Sequence, residues 1–207
     1  MTTDVVVPTT PGSDSLSPVR PRLVLVGGVP GAGKSTALRE LRAADPGVRT
    51  LDPDRWRERI AAALPGVAYR RYRWLVHVLS TVQLLAALVV RRGPLVVHAP
   101  ATRAGRRTLV GRLAAVRGWE PVLVFIDVSR DAALHGQHHR GRVVRAGSFA
   151  RHWARWSRQR ATLSQAARTG QPLGPWTRVV VTARADVVPT LVALSCTKRP
   201  SGRTALG

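Results

Sequence analysis

Of the 33 lysines and arginines in this 207-residue chain, only two are lysine. Lys198 lies in a polar tail, and Lys34 stands inside Gly28-Val29-Pro30-Gly31-Ala32-Gly33-Lys34-Ser35. The segment has the spacing G-x-x-x-x-G-K-[ST]. In that pattern glycines let backbone N–H groups wrap phosphates, the lysine reaches the β and γ phosphates, and the hydroxyl, here Ser35, binds Mg²⁺. A compact ammonium on a flexible stem suits such a cradle and a planar guanidinium does not, which accounts for lysine in a chain that otherwise uses arginine. Thr36 follows in the first turn of the predicted helix, whose free N–H groups and dipole favour an anion. The implied ligand is a nucleotide.

Three other groups are placed to meet it. Asp52 and Asp54, in Leu51-Asp52-Pro53-Asp54-Arg55-Trp56-Arg57, could take a proton from a hydroxyl or hold water around Mg²⁺, while either could instead cap the following helix. His98 ends a later apolar run where an acidic residue is often found. A neutral imidazole is a poor ligand for so hard a cation, so His98 is expected to bond the substrate or the Asp52/Asp54 pair, or to pack. Asp127 ends a further run, and its strand is expected to lie farther from the loop. In Gly136-Gln137-His138-His139-Arg140-Gly141-Arg142-Val143-Val144-Arg145, arginines around a glycine suit a lid that closes over a triphosphate. The two histidines lack a third spaced ligand for zinc.

The elements that must position these residues alternate. Apolar runs at Leu23–Val26, Val48–Leu51, Pro94–Val97, Pro121–Ile126 and Arg178–Val181 predict five strands. Helix patterns at 35–44, 54–63, 67–91, 103–117, 129–138 and 148–168 lie between them, with Ser129 and Ser148 as N-caps. Strands alternating with helices predict an α/β fold with a parallel sheet, whose ligands sit beyond the carboxyl ends of the strands. The stripe Phe149, Trp153, Trp156, Leu163 and Ala167 reads as core, and the apolar stretch Trp74–Val90 as a buried helix too short and too polar to span a membrane. Arg70, Arg71 and Arg73, interleaved with Tyr69, Tyr72 and Trp74, fit either a nucleotide-like or aromatic acceptor or a snorkelling helix end.

Length allows one domain, taken as 21–194 between polar tails at 1–20 and 195–207. A single cysteine, Cys196, excludes an internal disulfide, and with no secretory or membrane signal the expected location is cytoplasmic. The net charge is +22, with no carboxylate between Glu58 and Glu120 or between Asp131 and Asp186. Such faces attract polyanions, so nonspecific nucleic-acid binding is expected to accompany the nucleotide, without the patterns of a sequence-specific reader.

With these residues in place, the chain from about 21 to 185 resembles the small P-loop kinases of the polynucleotide-kinase-like group. These are often labelled AAA-family ATPases and are related to zeta toxins and chloramphenicol phosphotransferase. Gly28 to Ser35 matches the Walker A phosphate loop. Asp54 and Arg57 match D-x-x-R, where the resemblance implies a base on the acceptor hydroxyl and a substrate contact. Gln137, Arg140, Arg142 and Arg145 resemble the lid, at about 137–147, whose arginines bind ATP phosphates. The implied fold is a three-layer α/β/α sandwich with a five-stranded parallel sheet and an Arg-rich lid. The implied chemistry is Mg²⁺-dependent transfer of the ATP γ-phosphate to a hydroxyl-bearing acceptor. On this reading Lys34, Asp54, Arg57 and Arg142 carry the reaction, and Gly28 through Thr36 with Arg140, Arg142 and Arg145 hold ATP. The rivals are a nucleic-acid-associated ATPase or switch, and a nucleotide-binding protein without chemistry.

Overall fold

The computed structural model describes residues 20–90, 93–98, 103–138 and 145–195. Strands β1 (Arg22–Gly27), β2 (Arg49–Leu51), β3 (Leu95–His98), β4 (Glu120–Ile126) and β5 (Arg178–Thr182) pair in the order β2-β3-β1-β4-β5. Every pairing is parallel. Near-continuous Leu, Val and Ile runs make these strands, because a parallel sheet is covered on both faces. Leu23, Val24, Leu25 and Val26 are fully buried, as are Val122, Leu123 and Val124.

Helices α1 (Lys34–Ala44) and α7 (Val187–Ser195) pack together against one face. Right-handed crossovers send α3 (Tyr69–Val90), α4 (Ala104–Val116) and α6 (Ala146–Thr169) to the other. Short α2 (Pro53–Ala63) lies on α3, and α5 (Arg130–His138) follows β4. The expected three-layer sandwich is the observed one. Phe149, Trp156 and Leu163 of the α6 stripe are buried, with Trp153 and Ala167 packed beside them. Trp156 stacks on Phe125 with ring centroids 4.0 Å apart, worth about 0.5–1.5 kcal/mol beyond its burial.

Four expectations change. β4 lies directly beside β1, so Asp127 is on a strand as near the phosphate loop as β3. Helix α6 begins at Ala146 with Arg145 at its N-cap, which leaves Ser148 inside the first turn, whereas Ser129 does cap α5 through the Ala132 N–H. Helix α7 was not legible because Pro189 interrupts its pattern, yet proline is tolerated in a first turn, and Leu191 and Leu194 are buried. Last, α3 is largely exposed: only Tyr72, Val76, Ala87 and Leu88 are buried, while Trp74, Val78, Val82, Leu85 and Val89 face outward. It is long and apolar enough to cross a membrane by length and composition. The physical reason for its exposure is reach. A helix of 22 residues extends about 33 Å, and the edge strand below it has three residues, roughly 10 Å.

Candidate active site

The chain leaves β1 at Gly27 and enters the loop Gly28 to Gly33 at the sheet's switch point, where β3 and β4 flank β1. Two glycines are obligatory there. Gly33 has φ 99° as the N-cap of α1, and Gly31 has φ 88° with no room for a side chain, since a Cβ would lie 1.9 Å from the Ala133 carbonyl oxygen. The reciprocal contact is equally close, a Cβ on Gly136 falling 2.5 Å from the Gly31 oxygen. Loop and α5 therefore meet backbone to backbone. Gln137, 4 % exposed, adds a bond from Nε2 to the Pro30 carbonyl at 3.4 Å. It belongs to this helix contact.

Lys34, 8 % exposed, turns its ammonium onto its own loop and donates to the Gly28 and Val29 carbonyls at 2.9 Å each. No side chain caps α1 at Gly33, so the helix N-terminus presents backbone donors and a positive dipole end without an internal carboxylate to neutralise them. That arrangement fits a phosphate group. A cavity of about 780 Å³ runs from Gly33 along the flank of α1, lined by Ser35, Thr36, Arg39, Asp54, Arg55 and Arg184 among others, with Asp52 at its edge.

Ser35 Oγ is the meeting point of the acidic and imidazole groups. It donates to Asp54 Oδ2 at 2.9 Å and lies 3.3 Å from His98 Nδ1, which is itself 2.8 Å from Asp52 Oδ1. The parallel register explains the meeting: Val26 pairs with His98 and Leu51 with Val97, so the ends of β1, β2 and β3 lie level. Asp52 and Asp54 divide their roles as helix chemistry dictates. Asp52 is the N-cap of α2 and accepts the Asp54 N–H at 3.0 Å; Asp54, in the first turn, is directed at Ser35. Burial pushes the Asp52 pKa up, but hydrogen bonding and charge from His98, with bonds from Asp54 and Ser35, outweigh it and hold the carboxyl below its ordinary range. The Asp52–His98 hydrogen bond crosses the floor of the site.

A hard cation wants oxygen ligands and tolerates several waters. The Ser35 hydroxyl, with Asp52 and Asp54 beside it, supplies that donor set; among the described residues no cluster of three or more His, Cys, Asp or Glu forms an all-protein metal cage. Mg²⁺ bound through Ser35, phosphate oxygens and water fits these residues.

The other sequence candidates are placed as follows. Arg57 lies over the Tyr69 ring, 4.4 Å from its centroid, so Arg55 rather than Arg57 lines the cavity. Tyr69 meets Tyr72 edge to face at 5.4 Å, and Trp74 is 64 % exposed. Asp127 accepts from Trp156 Nε1 at 3.2 Å and from Arg160 Nε and Nη2 at 3.0 and 2.7 Å, which turns it toward α6 and away from Ser35. Arg145 is exposed at the start of α6; Arg140 and Arg142, with most of the expected lid, His139, Cys196, Lys198 and residues 1–19 and 196–207 of the expected tails, lie outside the described residues, while Ser195 belongs to α7 rather than to the tail.

Two residues escaped the sequence reading. Arg184, after β5, donates Nη2 to the Gly31 carbonyl and to the Ala132 carbonyl at 3.3 Å, pinning loop to α5. The rule of inspecting residues just beyond strand ends would have found it. His152 of α6 is held below its ordinary pKa by burial and then by Arg155, Lys34, Arg103 and Arg151. Nothing in the sequence placed α6 beside the phosphate loop.

A parallel sheet in the order β2-β3-β1-β4-β5, with this loop after β1, defines a nucleotide-binding P-loop protein of kinase-like fold. A family model described as an AAA domain matches residues 23–166, and the chain belongs to that family. Solved structures of similar fold include one from the PezAT toxin-antitoxin system of Streptococcus pneumoniae. It has TM-score 0.55 and 17 % identity, covering 80 % of this chain and 68 % of that one. A candidate kinase from Chloroflexus aurantiacus gives TM-score 0.57 and 15 % identity over 85 % and 98 %. A gluconokinase from Sinorhizobium meliloti gives 0.49 and 22 % over 84 % and 94 %. Among curated proteins, none matches the chain.

Proposed function

We propose that the protein is a Mg²⁺-dependent kinase that moves the ATP γ-phosphate to a hydroxyl acceptor. The observation that carries this reading is the Ser35–Asp54 hydrogen bond of 2.9 Å, which sets a carboxylate beside the hydroxyl that would ligate the metal, facing the cradle. Lys34 would leave the Gly28 and Val29 carbonyls for the β and γ phosphates. Asp54 would accept the proton of the acceptor hydroxyl as its oxygen bonds to phosphorus. The bond from that phosphorus to the β-phosphate oxygen breaks, and ADP leaves with the electron pair. Mg²⁺, when bound, neutralises phosphate charge. Asp52 and His98 hold Ser35 and the start of α2 in place. Arg55 and Arg184, with Arg140, Arg142 and Arg145 of the lid segment, offset charge in transfer.

The test is transfer of labelled γ-phosphate to a panel of oligonucleotide 5′ ends, nucleosides, sugars and apolar alcohols, with Lys34→Ala as the blank. ATP hydrolysis without transfer to any acceptor would refute the kinase reading. The +22 charge favours a second one, a polynucleotide-associated ATPase, which predicts turnover stimulated by DNA or RNA and reduced steeply by salt.

A further inference from the structure

A second cavity, of about 280 Å³, lies between α3 and α4 on the face of the sheet opposite α1. Its walls are apolar, formed by Leu84, Leu88, Val97, Leu109, Val110 and Leu113 among others. Polar groups are fewer, and Ser80, Thr81 and Gln83 supply some of them along α3. Asp52 and His98 stand at the end formed by the strand tips, while His77, Arg106 and Arg107 come from the two helices. The space is open to solvent, since Leu85, Leu109 and Leu113 of its lining are exposed, so its apolar walls are accessible to a ligand. Its size is at the lower limit of small-molecule pockets, which typically combine apolar walls with a few convergent polar groups.

Its position gives it a use. Asp52 lines both this pocket and the phosphate cavity, and the His98 imidazole that forms part of its wall reaches Ser35 at 3.3 Å. Among the described residues, Asp52 is the side chain that the two spaces share. We propose that the α3–α4 pocket takes the apolar body of the acceptor, so that the acceptor class is a small, largely hydrophobic alcohol whose hydroxyl extends past the Asp52–His98 end toward Asp54. The inference rests on the kinase reading and narrows it. A sugar acid, a nucleoside or an oligonucleotide would have to strip polar groups of water against leucine and valine without replacing those hydrogen bonds. An aryl or alkyl alcohol gains from the same walls.

The experiment measures γ-phosphate transfer from ATP to matched probes: 4-phenyl-1-butanol and 2-naphthaleneethanol against gluconate, adenosine and a 5′-hydroxyl oligonucleotide. Wild type is compared with Leu113→Trp, which fills the pocket from a position 38 % exposed, and with Leu109→Gln, at a position 58 % exposed. Both sites are exposed enough to change without unfolding the chain, and far-UV dichroism with the Kd for ATP checks this. The expected result is transfer to the apolar alcohols, with KM for them raised at least about tenfold in Leu113→Trp while KM for ATP and acceptor-independent hydrolysis stay unchanged. Transfer to the polar probes alone, indifferent to both variants, would overturn the pocket assignment and leave the kinase reading standing. So would a Leu113→Trp protein that is more heat-stable with unaltered kinetics, since the space would then be a packing gap. Hydrolysis with no transfer to any probe overturns both.

Discussion

Replacing Lys34 by arginine keeps the positive charge and tests whether charge alone is what the cradle requires. The ammonium is buried and makes two bonds of 2.9 Å to consecutive carbonyls, a convergence that a small tetrahedral donor achieves and a planar fork does not. Guanidinium is also larger, and overfilling a packed site costs about 1–3 kcal/mol. A hydrogen bond to a charged group contributes roughly 1.5–3 kcal/mol. If Lys34→Arg forfeits one such bond to the triphosphate, ATP affinity falls about tenfold to a hundredfold at 1.4 kcal/mol per decade. Isothermal titration with MgATP, on wild type, Lys34→Arg and Lys34→Ala of verified fold, measures this. A Lys34→Arg protein that binds within about threefold of wild type, roughly 0.7 kcal/mol, would refute the argument from shape.

Three further outcomes follow from the geometry. Asp52→Ala removes both an N-cap and the partner of His98, so it should cost on the order of 2–4 kcal/mol in urea unfolding, while Asp52→Asn, which keeps the cap, should cost clearly less. Gly136→Ala must push α5 off the loop, and a variant with unchanged thermal stability and ATP affinity would contradict the close approach to Gly31. His152, kept neutral by burial and neighbouring cations, should take up a proton when a triphosphate arrives, so ATP binds more weakly as pH rises through the bound-state pKa, with a slope of at most about one log unit per pH unit. Titrations in buffers of different ionisation enthalpy read the proton directly, and His152→Gln should abolish it. Folding stability has the complementary sign: because the folded pKa is depressed below 6.5, this contribution is present above that value and is lost as pH falls.

The donor half of the site was legible because its chemistry is local. Seven consecutive steps of chain, Gly28 to Ser35, specify a loop whose backbone does the binding, and the strand and helix on either side follow from period alone. Strand runs were legible for the same reason. The acceptor half depends on which strand lies beside which. His98 meets Asp52 only because β3 sits between β1 and β2, and Asp127 misses Ser35 only because Arg160 and Trp156 claim it from α6. The His98 contact was one of the alternatives expected, but neither partnership has a spacing in sequence that selects it. The exposure of α3 was hidden likewise, since the composition of Trp74 to Val90 records its apolarity while the length of β2 decides how much is covered.

The contact of Gly31 with Gly136 has a mechanical consequence. Between most packed elements side chains intervene, and their rotamers absorb small displacements; here two backbones touch, and Arg184 staples them together. A cradle that shifts by a fraction of an ångström to admit phosphate must carry α5 with it as one lever. The far end of that lever is His138, and the next described residue, Arg145, opens α6, the helix that carries His152. A displacement of the loop is thereby passed by stiffness, independently of charge, along α5 to its C-terminal turn at His138.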